Sequence, residues 1–149
     1  MLDAVPHNVC IVDTSGIIVH VNRAWVMFGR ANGLALPNDG LGTNYLELCA
    51  APSCPRTTQT ARAVAAGLRT VLRSGHGRFT LSYAAEEPGH AEGFWQVTII
   101  PAQPTGALIQ HQDVTVQRQE ERRRAVELAV AERIVQEAPG PGSRSRLLT

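Results

Sequence analysis

The chain contains no lysine. All fourteen of its basic residues are arginine, and thirteen acidic residues balance them to a formal charge of +1. No basic run stands without Glu beside it, so the sequence carries no electrostatic footprint of a nucleic-acid surface. Long apolar runs are also missing: none approaches the ~20 residues a membrane span needs. Met1 leads into Leu-Asp-Ala-Val-Pro rather than into a charged and then apolar export signal. A cytoplasmic protein without membrane contact is expected. Cysteine is scarce and odd in number, at Cys10, Cys49 and Cys54, which argues against a disulfide framework and for free thiols. Cys49 and Cys54 stand five apart with no third or fourth ligand in ordinary spacing, so no metal site is expected. Cys10 alternates with Val12 in an apolar strand and should pack inward.

Recognisable catalytic machinery is absent as well. There is no Gly-rich phosphate loop, no His-Glu-x-x-His and no nucleophile motif. The histidines at 7, 20, 76, 90 and 111 are scattered, and His76 and His90 fall in expected turns. No catalytic residue is named, and the protein is not expected to be an enzyme. Its 149 residues with 44% hydrophobic content do suffice for one domain with a core.

The stretch Gly93–Thr115 organises what is present. Phe94–Ile100 and Ala107–Val114 are β-branched and aromatic runs joined by a turn rich in Pro and Gly, a hairpin signal. Asp113-Val114-Thr115 then hands over to a charged helical pattern. Upstream, Asn8–Asp13 and Ile17–Val21 flank Thr14-Ser15-Gly16 and read as a first hairpin. Asn22 is placed to cap a helix that ends near Gly29, with Trp25 and Phe28 three apart. Ala31–Gly42, rich in Asn, Gly, Pro and Leu, should be a loop. Thr43 or Asn44 can cap a short helix carrying Tyr45 and Leu48. Over Thr57–Ser74 the residues Ala61, Val64, Ala65, Leu68, Val71 and Leu72 recur at three- and four-residue spacing, mostly opposite Arg62, Arg69 and Arg73. That is an amphipathic helix stopped by Gly75.

Arg78–Tyr83 alternates, with Phe79, Leu81 and Tyr83 on the face expected to be buried. Ala84–Glu92 reads as a polar loop, and Trp95, Val97 and Ile99 share the inward parity of the next strand. In the final strand Ala107, Ile109, His111 and Asp113 oppose Leu108, Gln110 and Gln112, and periodicity alone leaves open which side is inward. The resulting fold class is α+β: a five-stranded antiparallel sheet with helices on one face, followed by a C-terminal helix.

Three stretches resemble the PAS family of sensory domains: the Asp13-Thr-Ser-Gly16 turn with Asn22-Arg-Ala24 after the second strand, Gly42-Thr-Asn-Tyr-Leu46, and the strand-ending Asp113-Val114-Thr115. The likeness covers about residues 2–115. It implies a sensory domain over 1–115 and a signalling helix over 116–138, while the composition of Pro139-Gly-Pro-Gly-Ser-Arg-Ser-Arg reads as a disordered tail over 139–149. It also favours the His111 side of the last strand as inward. Strand parity and helix faces then bring Tyr83, Trp95 and His111 to one cavity with Phe79, Tyr45 and Leu68. The same residues could instead fill a solid core, and His111 could report pH or donate a hydrogen bond.

Haem-binding PAS relatives present an axial His from the long helix, which here has none, and Cys-x-x-Cys-His is absent. Photoactive flavin relatives carry Asn-Cys-Arg, a context neither Cys49 nor Cys54 has. The cofactor is therefore unknown: haem is disfavoured, and non-covalent flavin is left open without positive support beyond Trp95 and an apolar pocket. A helix over Val116–Glu137 would be about 33 Å long. Its Leu128, Ala131, Val135 and Ala138 fit an a/d spacing that fails upstream at Arg124 and Glu121, so a coiled-coil seam and a solvated helix laced by Glu–Arg pairs both stay open.

Packing of that helix with Leu2 and Val5 between protomers makes a homodimer the expected state, with a separate effector such as a histidine kinase or regulator. Asp113 and Thr115 are expected to form the joint between sheet and helix, Thr115 as N-cap and Asp113 pairing with Arg78 or Arg118. The competing expectations are a ligand-free interaction and dimerisation module, and a small enzyme of similar shape.

Overall fold

The computed structural model describes residues 3, 7–31, 36–51, 58–85 and 93–137. Cys54, Leu2, Val5, the tail and most of the 84–92 segment lie outside them. The chain divides into two compact units, Met1–Val114 and Thr115–Thr149.

The first unit contains β1 (Asn8–Val12), β2 (Ile18–Val21), α1 (Arg23–Ala31), α2 (Tyr45–Ala50), α3 (Thr58–Ser74), β3 (Phe79–Ala85), β4 (Gly93–Pro101) and β5 (Ala107–Asp113). The strands form one antiparallel sheet in the order β2-β1-β5-β4-β3. The first and last strands in sequence thus become neighbours at its centre, with Cys10 opposite Ile109 and Val12 opposite Ala107. Among the boundaries that differ from expectation, two are the largest. Helix α1 continues past Gly29 to Ala31. Strand β3 runs on to Ala85, because Ala84 and Ala85 still pair with Phe94 and Gly93 instead of opening the loop.

Alternation decides the buried face. Cys10, Val12, Val97, Ile99, Ala107 and Ile109 are buried and join Ala61, Val64, Ala65, Leu68 and Val71 of α3 in one core. Burying an Ile, Leu or Val side chain of this kind contributes about 1.5–3 kcal/mol. Gly67 lets α3 settle onto β3, since a Cβ there would come within 2.5 Å of the Phe79 ring. In the β4–β5 turn Gly106 has φ +91°, and a Cβ would strike the carbonyl oxygen of Val12; only glycine fits both demands.

Short polar side chains fix the connections. Asp13 Oδ1 accepts from the N–H groups of Ser15 and Ile17, both at 2.9 Å, and closes the first hairpin. Asn22 is wholly buried. Its Oδ1 accepts from Val9 N at 3.0 Å and Trp25 N at 2.9 Å, while Nδ2 donates to the His7 carbonyl at 2.7 Å. One side chain thereby caps α1 and ties that cap to β1.

The second unit holds α4 (Thr115–Glu137). All of its residues from Val116 to Gln136 are exposed. Among the described residues no helix is long and apolar enough to cross a membrane.

Candidate functional site

The α2 helix is short, and its placement depends on the first hairpin. Tyr45 N donates to the Gly16 carbonyl at 2.8 Å and Ile18 N to the Thr43 carbonyl at 2.9 Å. Of the two capping candidates it is Asn44 that acts: its Oδ1 accepts from Leu46 N at 2.9 Å, and its Nδ2 reaches the Ser15 carbonyl at 3.2 Å. The first residue of the helix, Tyr45, is thereby aimed into the protein at 1% exposure.

Its hydroxyl meets Nε2 of His111 on β5 at 2.9 Å. The imidazole tautomer determines which of the two donates. His111 pairs in register with Asn8 on one side and Val97 on the other and is 7% exposed. With Asn22 it is one of the two buried polar residues of the described core. An apolar surround strengthens such a bond and makes its loss costly.

A third ring lies beside this pair. Trp25 of α1 lies 6.1 Å from the His111 ring, centroid to centroid, and Tyr45 lies 6.2 Å from it. Three residues further along α1, Phe28 meets Trp95 of β4 edge-on at 5.2 Å. Trp25 is held in turn by a hydrogen bond of 2.9 Å from its indole Nε1 to the carbonyl of Asp39. Asn38 and Asp39 adopt left-handed backbone angles in a short 3-10 turn, Pro37–Gly40, within the segment expected to be an unstructured loop. Arg30 lies 3.4 Å from the Asp39 carboxylate at the surface, a pair worth little by itself.

The sequence-named residues are distributed as follows. Tyr45 and Leu68 are in the buried core, Phe79 and Tyr83 pack against it half-buried, and His111 is bonded to Tyr45. Trp95 is half-buried, opposite Tyr83 in the β3–β4 register and against Phe28. Phe79 lies beneath Gly67, at the α3–β3 contact. The inward side of β5 is the His111 side. Trp25, Phe28 and the Asp39 carbonyl were not among the expected site residues. The spacing of Trp25 and Phe28 on one helix face was the available signal for the first two.

At the end of β5, Asp113 is exposed and stands opposite Trp95. Val114 N still donates to the Phe94 carbonyl at 2.8 Å, and Val114 is buried. The helix α4 begins at the next residue, Thr115.

The family model described as PAS fold matches residues 2–137. An uncharacterized 104.1 kDa protein from the hypE 3′ region of Rhodobacter capsulatus is 30% identical over 121 residues, which is 77% of this chain and 12% of that protein. The chain thus spans about an eighth of that relative. Among solved structures, the PAS domain of Bordetella pertussis BvgS superposes with a TM-score of 0.56 at 17% identity, over 87% of this chain and 92% of that one. The photoactive yellow protein domain of the sensor histidine kinase Ppr from Rhodospirillum centenum gives 0.51 at 22% identity, over 74% and 94%. The phage VqmA–DPO complex gives 0.57 at 18% identity, over 85% and 56%. At these identities the structures are alike in fold.

Proposed function

This chain belongs to the PAS family, and from that premise we propose that it is a sensory, signal-transducing module of the cytoplasm and not an enzyme. It binds a small molecule among Tyr45, Trp25, Phe28, Trp95 and His111 and relays the event through β5 to α4, acting as a homodimer on a separate effector such as a histidine kinase or regulator. The observation that carries this reading is the Tyr45–His111 hydrogen bond. It connects α2 to the strand that runs, through Asp113, into α4. A ligand group competing for either partner would act on the β5 end of the chain with few intervening residues. Two neighbours in fold add support: one is a domain of a sensor histidine kinase, and the other was solved as a complex with DPO.

A second reading is a ligand-free interaction and dimerisation module. It is favoured by the near-complete burial of Tyr45 and Leu68 and by the mutual satisfaction of Tyr45 and His111, which is how a solid core would look.

Native mass spectrometry and an absorption spectrum of the purified full chain separate the readings. A copurified small molecule supports the sensor, its absence together with no response to candidate ligands leaves the interaction module, and turnover of a substrate would establish an enzyme. Light scattering on the full chain and on a version ending at Thr115 tests the association. A dimer that becomes a monomer on truncation is expected, and a monomer in both cases removes the homodimer.

A further inference from the structure

We propose that the exposed face of α3 is a docking surface for an acidic helix of a partner protein, gripped by Arg62, Arg69 and Arg73 with Arg78 at its end. The inference concerns the side of α3 turned away from the core and does not depend on whether a ligand binds near His111.

Charge along this part of the chain is segregated. Between Glu47 and Glu86 the sequence has Arg56, Arg62, Arg69, Arg73 and Arg78 and no acidic residue. At 3.6 residues per turn, positions 62, 69 and 73 fall within about 40° of one line that runs about 16 Å along the helix. Ala61, Val64, Ala65, Leu68 and Val71 occupy the buried side, while all four described arginines are exposed. Among the described residues none of these four forms an ion pair. The exposed positions between and beside them are Thr58, Gln59, Ala66, Thr70 and Ser74, mostly small side chains that let another backbone come close.

Three forked guanidinium groups on a straight line match carboxylates projecting from one side of a second helix, since Arg binds carboxylate through two parallel N–H···O bonds. In antiparallel orientation the complementary spacing is an acidic residue followed by others four and eleven positions later. A nucleic acid is disfavoured as occupant. Residues 1–114 hold seven arginines against eight acidic residues, so this unit has no positive field to draw a polyanion. The face also has no aromatic ring on which a base could stack. A membrane surface is disfavoured because α3 has no large apolar side chain among its exposed residues for insertion.

The test uses the full chain and fluorescence anisotropy. The probe is a labelled helical peptide of about 18 residues, long enough to hold helix, with Glu at the complementary spacing; a scrambled peptide of identical composition is the control. A DNA duplex and phosphatidylserine vesicles are run beside them. Binding of the patterned peptide is expected, weakening with salt as exposed charge pairs are screened. Replacing the three residues together, Arg62→Glu, Arg69→Glu and Arg73→Glu, should weaken it at least about tenfold. Circular dichroism should be unchanged, as the positions are exposed, and the corresponding Arg→Lys variant should retain intermediate affinity. The proposal is overturned by no binding, by equal binding of the scramble, by a variant that binds as well as the parent, or by DNA or vesicles being preferred.

Discussion

The hydroxyl of Tyr45 and Nε2 of His111 lie 2.9 Å apart across 66 residues of sequence, joining the first turn of α2 to the middle of the sheet. Tyr45→Phe keeps the ring and its packing and removes only the oxygen. A loss of about 1–3 kcal/mol is expected, because His111 is left without this partner in an apolar surround. Urea denaturation would measure it, and an unchanged midpoint would show the bond to be dispensable.

Asn22→Ala should cost more. The substitution removes two acceptor bonds and one donor bond, and leaves the Val9 and Trp25 N–H groups and the His7 carbonyl to find other partners. Adding the loss of a cap to the cost of buried unpaired groups gives at least about 2 kcal/mol. Thermal unfolding should show a single transition at lower temperature, and Asn22→Ser, which keeps an acceptor near the helix start, should recover part of the difference.

At Gly67 the expected fault is overpacking. A methyl group placed within 2.5 Å of the Phe79 ring forces α3 away from β3, at a cost of about 1–3 kcal/mol. The double variant Gly67→Ala with Phe79→Leu should lose less than the two single losses added together. Strict additivity in that cycle would mean that the two positions do not meet.

Asp113→Ala addresses the relay. If Asp113 steadies the start of α4 beside the helix dipole, removing its charge costs only about 0.3–1 kcal/mol, too little to unfold the sheet. Hydrogen exchange should show faster exchange over residues 116–125 with β4 and β5 unaffected. Equal protection in variant and parent would make the junction a chain connection only.

Much of this fold is legible in the sequence because its signals are local. The alternation of Cys10 with Val12, and of Val97 with Ile99, needs no partner to be read as a buried strand face. Asn22, Asn44 and Asp13 announce helix starts and a turn through hydrogen bonds that span two to four residues. The spacing Ala61, Val64, Leu68, Val71 marks the α3 stripe for the same reason. Even the inward side of β5 followed once the ending Asp113-Val114-Thr115 was compared with PAS strands, although Leu108 and Ile109 leave periodicity undecided.

Tertiary structure decided what depends on distance across the sheet. Tyr45 reaches His111 only because the hairpin turn at Ser15 and Gly16 anchors the residues just ahead of α2. Trp25 enters the site because the Asp39 carbonyl holds its indole, and that carbonyl is presented by two left-handed residues in a segment whose composition reads only as loop. Val114 keeps its bond to Phe94 beyond the last residue of β5, a contact with β4 that the residues around Val114 do not encode. Local pattern specifies which face is buried, whereas the identity of the groups that meet there is a property of register and of how closely α3 and α1 approach the sheet.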